Sequence, residues 1–337
     1  MNNRNKTLKI SLNILLFILI VGFGYYMIHS ILSEEKTIPA SEENEENTFV
    51  SPYKKTNGFD AVSEILCFDV YKNAIYVVLI DKISIFDLSG KHQRDFKIEK
   101  GARDIVVESR DVARDVSITI YLLYPTRIDL YSFEGEKKGG WEACSDNSDY
   151  CSFTTTKDYV FVTDAENKNI VQYDKQGGLL RFIKSPDGFV IPSYSFGIIS
   201  INDTIYCSNS GRHIIESYTL EGKFIASFGE NGVQAGAFAG CCNPVYLEKT
   251  PNGNILTSEK GNPRISCYSK TGKFRTILFT GNTLGGGTAA YEMHVSGENI
   301  YIASKKTISV YSFDPTLSEK SCVGCEEECP LRKNIKK

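Results

Sequence analysis

Ten cysteines hold most of the chemistry available to this chain of 337 residues: Cys67, Cys144, Cys151, Cys207, Cys241, Cys242, Cys267, Cys322, Cys325 and Cys329. The last three stand in SCVGCEEECPLRK, a Cys-x2-Cys-x3-Cys-Pro run. Thiolates at that spacing converge on a zinc ion or an iron–sulfur cluster, but such sites take four ligands. The fourth would have to come from the body of the protein. The only histidines are His29, His92, His213 and His294, none of them near the tail in sequence. Disulfide-linked or free thiols are the competing reading, which an oxidising compartment favours.

Cys241 and Cys242 are adjacent in GAFAGCCNP. Neighbouring cysteines bond each other only with strain, so each is expected to find another partner or to stay reduced. The next loop, SEKGNPRI, brings Glu259, Lys260 and Arg264. Two thiols beside a polar cluster form the candidate ligand-binding site. The plainer account is a structural disulfide among ordinary loop charges. Cys144 and Cys151 flank SDNSDY, where a local disulfide is the simplest expectation. Cys67, Cys207 and Cys267 lie in apolar runs and are expected in the core. The sequence has no Gly-x-Ser-x-Gly elbow, no phosphate loop and no His-Glu-x-x-His.

The elements that must position these groups recur. Phe86, Tyr131, Tyr173, Tyr218, Tyr268 and Tyr311 each end an apolar β-type run, at spacings of 45, 42, 45, 50 and 43 residues. A turn residue follows each aromatic by four positions: Gly90, Gly135, Gly177, Gly222, Gly272 and, in the sixth copy, Pro315. A period in the forties with strand patterning predicts an all-β, six-bladed propeller. The sixth repeat lacks an outer strand. NTFVSPY (Asn47–Tyr53) lacks any other partner, so Phe49 and its neighbours are expected to pair with Ile308–Phe313 and close the ring.

From Phe228 the chain reads FGENGVQAGAFAGCCNPVYLEKTPNGNILTSEKGNPRISCYSKTGKF. Phe228-Gly229, Gly232, Gly236, Phe238, Pro244, Asn252-Gly253, Asn262, Arg264-Ile265 and Gly272-Lys273-Phe274 fill, in order, the pattern of the NHL-repeat family, which this segment resembles. Looser copies occur at NSGRHI and DAENKNI, so the resemblance covers about half the chain. The Gly-Cys-Cys-Asn-Pro element resembles one in a bacterial, membrane-anchored subgroup. The resemblance implies a scaffold for binding a protein or a small molecule. A redox- or metal-linked accessory role for the cysteines is the alternative. Gluconolactonase-like propellers are a related class with a channel metal. By that likeness Asp81, Asp164, Asn209 and Glu259 would form a metal-dependent, lactonase-like hydrolase centre.

A net charge of −3 supplies no basic field for nucleic acid. Ile10–Leu32 contains no Lys, Arg, Asp or Glu and is long enough to span a bilayer as one N-terminal transmembrane helix. Arg4, Lys6 and Lys9 precede it and Glu34 and Glu35 follow, which predicts a cytoplasmic N-terminus and an extracytoplasmic propeller. A cleaved signal peptide is the rival reading. The expected organisation is an anchor at 1–32, an acidic tether at 33–46, a propeller at 47–314 and a Cys-rich tail at 315–337.

Overall fold

The computed structural model describes residues 20–23, 25, 50–112 and 115–317. The expected tether, the tail with Cys322, Cys325 and Cys329, and nearly all of the expected membrane span lie outside the described residues. Among the described residues no helix is long and apolar enough to cross a membrane.

Residues 50–317 build six four-stranded antiparallel sheets. The first strand of the chain, β1 (Tyr53–Asp60), belongs to the last blade. Blade one is β2 (Cys67–Tyr71), β3 (Ala74–Val78), β4 (Lys82–Asp87) and β5 (His92–Lys97). Blade two is β6 (Asp104–Val112), β7 (Asp115–Tyr124), β8 (Arg127–Ser132) and β9 (Lys137–Glu142). Blade three is β10 (Tyr150–Thr155), β11 (Tyr159–Asp164), β12 (Asn169–Asp174) and β13 (Leu179–Ile183). Blade four is β14 (Ile198–Ile201), β15 (Thr204–Asn209), β16 (Ile214–Thr219) and β17 (Phe224–Phe228). Blade five is β18 (Tyr246–Lys249), β19 (Ile255–Glu259), β20 (Arg264–Tyr268) and β21 (Phe274–Thr280). Blade six is β22 (Met293–Ser296), β23 (Asn299–Ser304), β24 (Thr307–Phe313) and the returning β1.

The repeated aromatics sit on the third strand of each blade and are buried. The turn that follows is built the same way five times. Gly90 N–H donates to Asp87 O, and Gly135, Gly177, Gly222 and Gly272 repeat the bond to Ser132, Asp174, Thr219 and Ser269. Asp, Ser and Thr suit that first position because their side-chain oxygens accept amides further round the turn. Asp87 Oδ1, for example, accepts Ser89 N–H at 2.9 Å and Lys91 N–H at 3.0 Å.

The glycine also has a packing reason. A Cβ on Gly90 would lie 2.6 Å from the Phe59 ring. On Gly135 it would meet Phe96, on Gly177 Trp141, on Gly222 Ile183 and on Gly272 Phe228. Each of these apolar groups comes from the outer strand of the preceding blade and also packs on the next blade's repeated aromatic. Ring centroids are 4.6 Å apart for Phe59–Phe86, 5.8 Å for Phe96–Tyr131, 5.9 Å for Trp141–Tyr173 and 5.6 Å for Phe228–Tyr268.

Closure occurs as expected in kind, but with a different segment. β1 pairs with β24 from Tyr53↔Phe313 to Asp60↔Thr307. The pairing strand is therefore YKKTNGFD, which shares only Tyr53 with NTFVSPY, and Phe49 falls outside the described residues. Phe59 supplies the interlocking ring. The strand was hard to see because it is an outer edge, mostly exposed and mostly polar.

Two glycine substitutions separate turn strain from packing. Gly101 has φ +95° with open space around its Cβ position, whereas Gly90 has φ +85° and the Phe59 ring in the way. Gly101→Ala should cost about 1–2 kcal/mol from the left-handed backbone alone. Gly90→Ala should cost roughly 1–3 kcal/mol more through overpacking. Urea unfolding of both variants checks this, and equal losses would show that Gly90 serves only the turn.

Candidate functional site

The first strands of the blades (β2, β6, β10, β14, β18 and β22) surround the propeller axis and line a cavity of about 770 Å³. No sheet joins these strands to one another, so side chains link them. Going round the ring, Glu292 Oε1 accepts Phe68 N–H at 3.3 Å, and Asp69 Oδ2 accepts Val107 N–H at 2.7 Å. Asp104 Oδ2 accepts Phe153 N–H at 3.0 Å and the Ser152 hydroxyl at 2.8 Å. Thr154 meets Ser200 at 3.2 Å, and Lys249 Nζ donates to Ser200 O at 2.9 Å. His294 completes the circuit with Glu248, Nδ1 to Oε2 at 3.3 Å.

His294 is the centre of this arrangement. Its Nδ1 also lies 3.5 Å from Asp69, and its Nε2 lies 3.7 Å from Glu292. Its side chain is 19% exposed, and the three carboxylates are 13–15% exposed. Burial opposes its charge, but the hydrogen bond to Glu292 and the charges of Glu248 and Asp69 prevail, pushing its pKa up to about 10. His294 is therefore an imidazolium at neutral pH. Burial raises Asp69, Glu248 and Glu292 above their ordinary values despite that neighbour. Asp104 is pushed up to about 7, through burial first and Glu292 second. Five carboxylates (Asp69, Asp104, Asp149, Glu248, Glu292) meet three cations (Arg103, Lys249, His294), and Arg103 is spent on Asp149.

The cysteine pair lies on the loop leading into β18. Cys241 is exposed, Cys242 is buried beneath it, and their sulfurs are 3.0 Å apart. Of the two expected outcomes, a separate partner for each or reduced thiols, the structure has the second: they face each other as free thiols. Burial raises the Cys242 thiol, but hydrogen bonds from Cys241, Lys260 and Ser193 outweigh it and hold the group below its ordinary value. Lys260 is fixed at both ends. Its N–H donates to Asn243 Oδ1 at 2.9 Å, and its Nζ donates to Ser195 Oγ at 3.3 Å. Ser193 and Ser195 also line the axial cavity, so the pair borders the channel.

Glu259 and Arg264 do not join this site. They form a buried ion pair, Arg264 Nε to Glu259 Oε1 at 2.6 Å. Arg264 also donates to the carbonyls of Val233, Gln234 and Ala237, and Glu259 accepts Ala239 N–H at 3.3 Å. The pair pins the loop that carries the cysteines and is occupied in doing so.

The lactonase-like centre does not assemble either. Asp164 turns to the amides of Asp149 and Asn167, Asn209 to Val190 and Glu216, and Glu259 to Arg264, while Asp81 is exposed. These positions follow or end the second strand of each blade, where they cap turns, whereas first strands line the channel. Among the described residues no group of three His, Cys, Asp or Glu could hold a metal. Cys144 and Cys151 are free thiols with separate partners, the Tyr150 hydroxyl at 3.7 Å and Asp149 O at 3.5 Å, in place of the expected disulfide. Cys67, Cys207 and Cys267 are buried, as expected.

No protein-family model and no curated protein matches the sequence. Solved structures match the fold. Virginiamycin B lyase from Staphylococcus aureus is 14% identical with a TM-score of 0.55, over 78% of this chain and 100% of that one. A catalytically inactive variant of that lyase with quinupristin is 15% identical with a TM-score of 0.54, over the same 78% and 100%. A structural genomics protein of unknown function from Bacteroides thetaiotaomicron is 12% identical with a TM-score of 0.53, over 78% of this chain and 74% of that one. The propeller fold is what these chains share with this one.

The axial charges set the pH dependence of folding. Between roughly pH 4 and 7 the folded chain keeps a proton on Asp104 that the unfolded chain has lost, so stability falls as pH rises. From the ordinary histidine value to about 10, His294 acts in the same direction. Asp104→Asn should remove up to about 1.4 kcal/mol per pH unit from the slope between pH 4 and 7. Denaturant unfolding across that range checks it through the slope, independently of hydrogen bonds the amide loses. An unchanged slope would mean that Asp104 titrates as an ordinary aspartate.

Proposed function

We propose that this chain is a membrane-anchored, extracytoplasmic propeller of NHL type that binds a cationic ligand at the mouth of its axial cavity. The observation carrying the reading is the cluster of Asp69, Glu248 and Glu292 around one imidazolium, with Asp104 protonated up to about pH 7. Carboxylates raised by crowding and burial gain most from an incoming positive group. Tyr71, Tyr194 and Tyr246 add aromatic walls suited to an organic cation. The apolar stretch Ile10–Leu32, with Arg4, Lys6 and Lys9 before it, supports the anchor and its orientation.

Binding is favoured over proton-transfer catalysis because His294 is held protonated through neutral pH and serves as a fixed charge rather than as a base. A solved propeller of the same fold is described with quinupristin, so a ring of this kind accommodates a bound compound.

Calorimetry with spermidine and with an Arg-Gly-Gly peptide tests the reading on the full chain in detergent. Binding should strengthen from pH 6 to pH 8 as Asp104 loses its proton, and it should release protons to the buffer at pH 7. Glu248→Gln should weaken it by roughly tenfold, the loss of about 1.4 kcal/mol from one close charge. Absence of binding by both probes, or affinity indifferent to Glu248→Gln, would overturn it.

A further inference from the structure

Cys241 and Cys242 form a second site, chemically distinct from the axial cavity. One thiol is exposed and the other is buried 3.0 Å behind it. The Lys260 ammonium and Ser193 stand near enough to the buried sulfur to hold its thiol below its ordinary value, and Lys260 is itself tied to Asn243 and Ser195. Among the described residues no carboxylate pairs with the Lys260 ammonium. A cation fixed beside a sulfur stabilises the thiolate, the form that reacts. Adjacent cysteines have Cα atoms about 3.8 Å apart, below the usual 4.4–6.8 Å for a disulfide, so a bond between them is strained and easily reduced. Strained, accessible disulfides are the labile ones.

We propose that Cys241–Cys242 is a thiol–disulfide exchange site that takes small-molecule disulfides as substrate. Cys241 passes its proton to the Cys242 thiolate and attacks one sulfur of R–S–S–R. A Cys241–S–S–R bond forms, the substrate S–S bond breaks, and the departing RS⁻ takes the proton from Cys242. The Cys242 thiolate, held by Lys260 and Ser193, then attacks the Cys241 sulfur. The Cys241–Cys242 bond forms, and the second RS⁻ leaves and takes a proton from solvent. The two cysteines lose two electrons and the substrate gains them. Excess small thiol reverses the sequence.

The reduced full-length protein incubated with oxidised glutathione tests this, read by tryptic peptide mapping after acid quench. The peptide 224–249 contains only this pair of cysteines. It should lose two hydrogens as two molecules of glutathione are released, and it should recover them in excess reduced glutathione. Cys242→Ser should trap a glutathione adduct on Cys241. Lys260→Met should slow closure roughly tenfold at pH 7 and move its pH profile upward, as expected for a thiolate raised by about one pKa unit. The wild-type mass change stands even if a variant misfolds. A wild-type peptide that stays reduced while Cys144 and Cys151 react, or closure indifferent to Lys260→Met across pH, would overturn the proposal.

Discussion

The whole ring depends on one repeated contact: an apolar group from the outer strand of one blade seated over the turn glycine and repeated aromatic of the next. Phe59, Phe96, Trp141, Ile183 and Phe228 occupy that seat at Gly90, Gly135, Gly177, Gly222 and Gly272. The glycine is needed twice, for a positive φ and for the space. Because the contact joins the periphery of one blade to the next, it fixes how each blade is rotated relative to its neighbour. Five such steps, with Phe279 packed on Tyr311 at 4.8 Å between blades five and six, close the circle only if the last blade also has an outer strand to offer. That is why β1 crosses the whole chain to pair with β24 and why its Phe59 lands on Gly90.

The axis follows from the periphery. Once the blades are set, their first strands converge without hydrogen-bonding each other as sheets. Unpaired backbone amides at Phe68, Val107 and Phe153 then need acceptors, which Glu292, Asp69 and Asp104 supply. Stitching the ring with carboxylates concentrates negative charge in a confined space. His294 and Lys249 offset part of it, and raised carboxylate pKa values register what is left. The cavity's electrostatic character is thus a by-product of closing the ring that a ligand can exploit.

The period was legible because five of the six copies carry the same pair, an aromatic and, four residues later, a glycine, and the sixth has Pro315 at that place. The closing strand's register was not, since an exposed edge such as YKKTNGFD shows no apolar alternation. The axial site was hidden for a different reason. Its members come from four blades, one or two residues each, at positions hundreds of residues apart. The one local sign was an acidic or basic residue inside a short first strand, as in CFDVY and MHVS. Glu259 and Arg264 misled in the opposite sense. Their proximity to the cysteines in sequence suggested a shared site, whereas a buried charge this close to a partner is spent on it.

The loop Val190–Ser195 joins the two sites. Asn209 Oδ1 holds its start by accepting Val190 N–H at 2.8 Å, and Gly211 N–H donates to Val190 O at 2.8 Å. Within it Ser193 and Tyr194 both have φ +58°, a left-handed conformation that costs about 1–3 kcal/mol at each non-glycine residue. That conformation carries Ser193 to the Cys242 thiol, Tyr194 to the channel mouth and Ser195 to the Lys260 ammonium. A relaxed loop would give up these contacts together. The strain is sustained because the same six residues must satisfy a thiol and an ammonium on one side while lining a cavity on the other. One turn thus places Ser193 beside the Cys242 thiol and Tyr194 and Ser195 in the wall of the channel. The cysteines and the axial carboxylates, unrelated in sequence, therefore share one strained support.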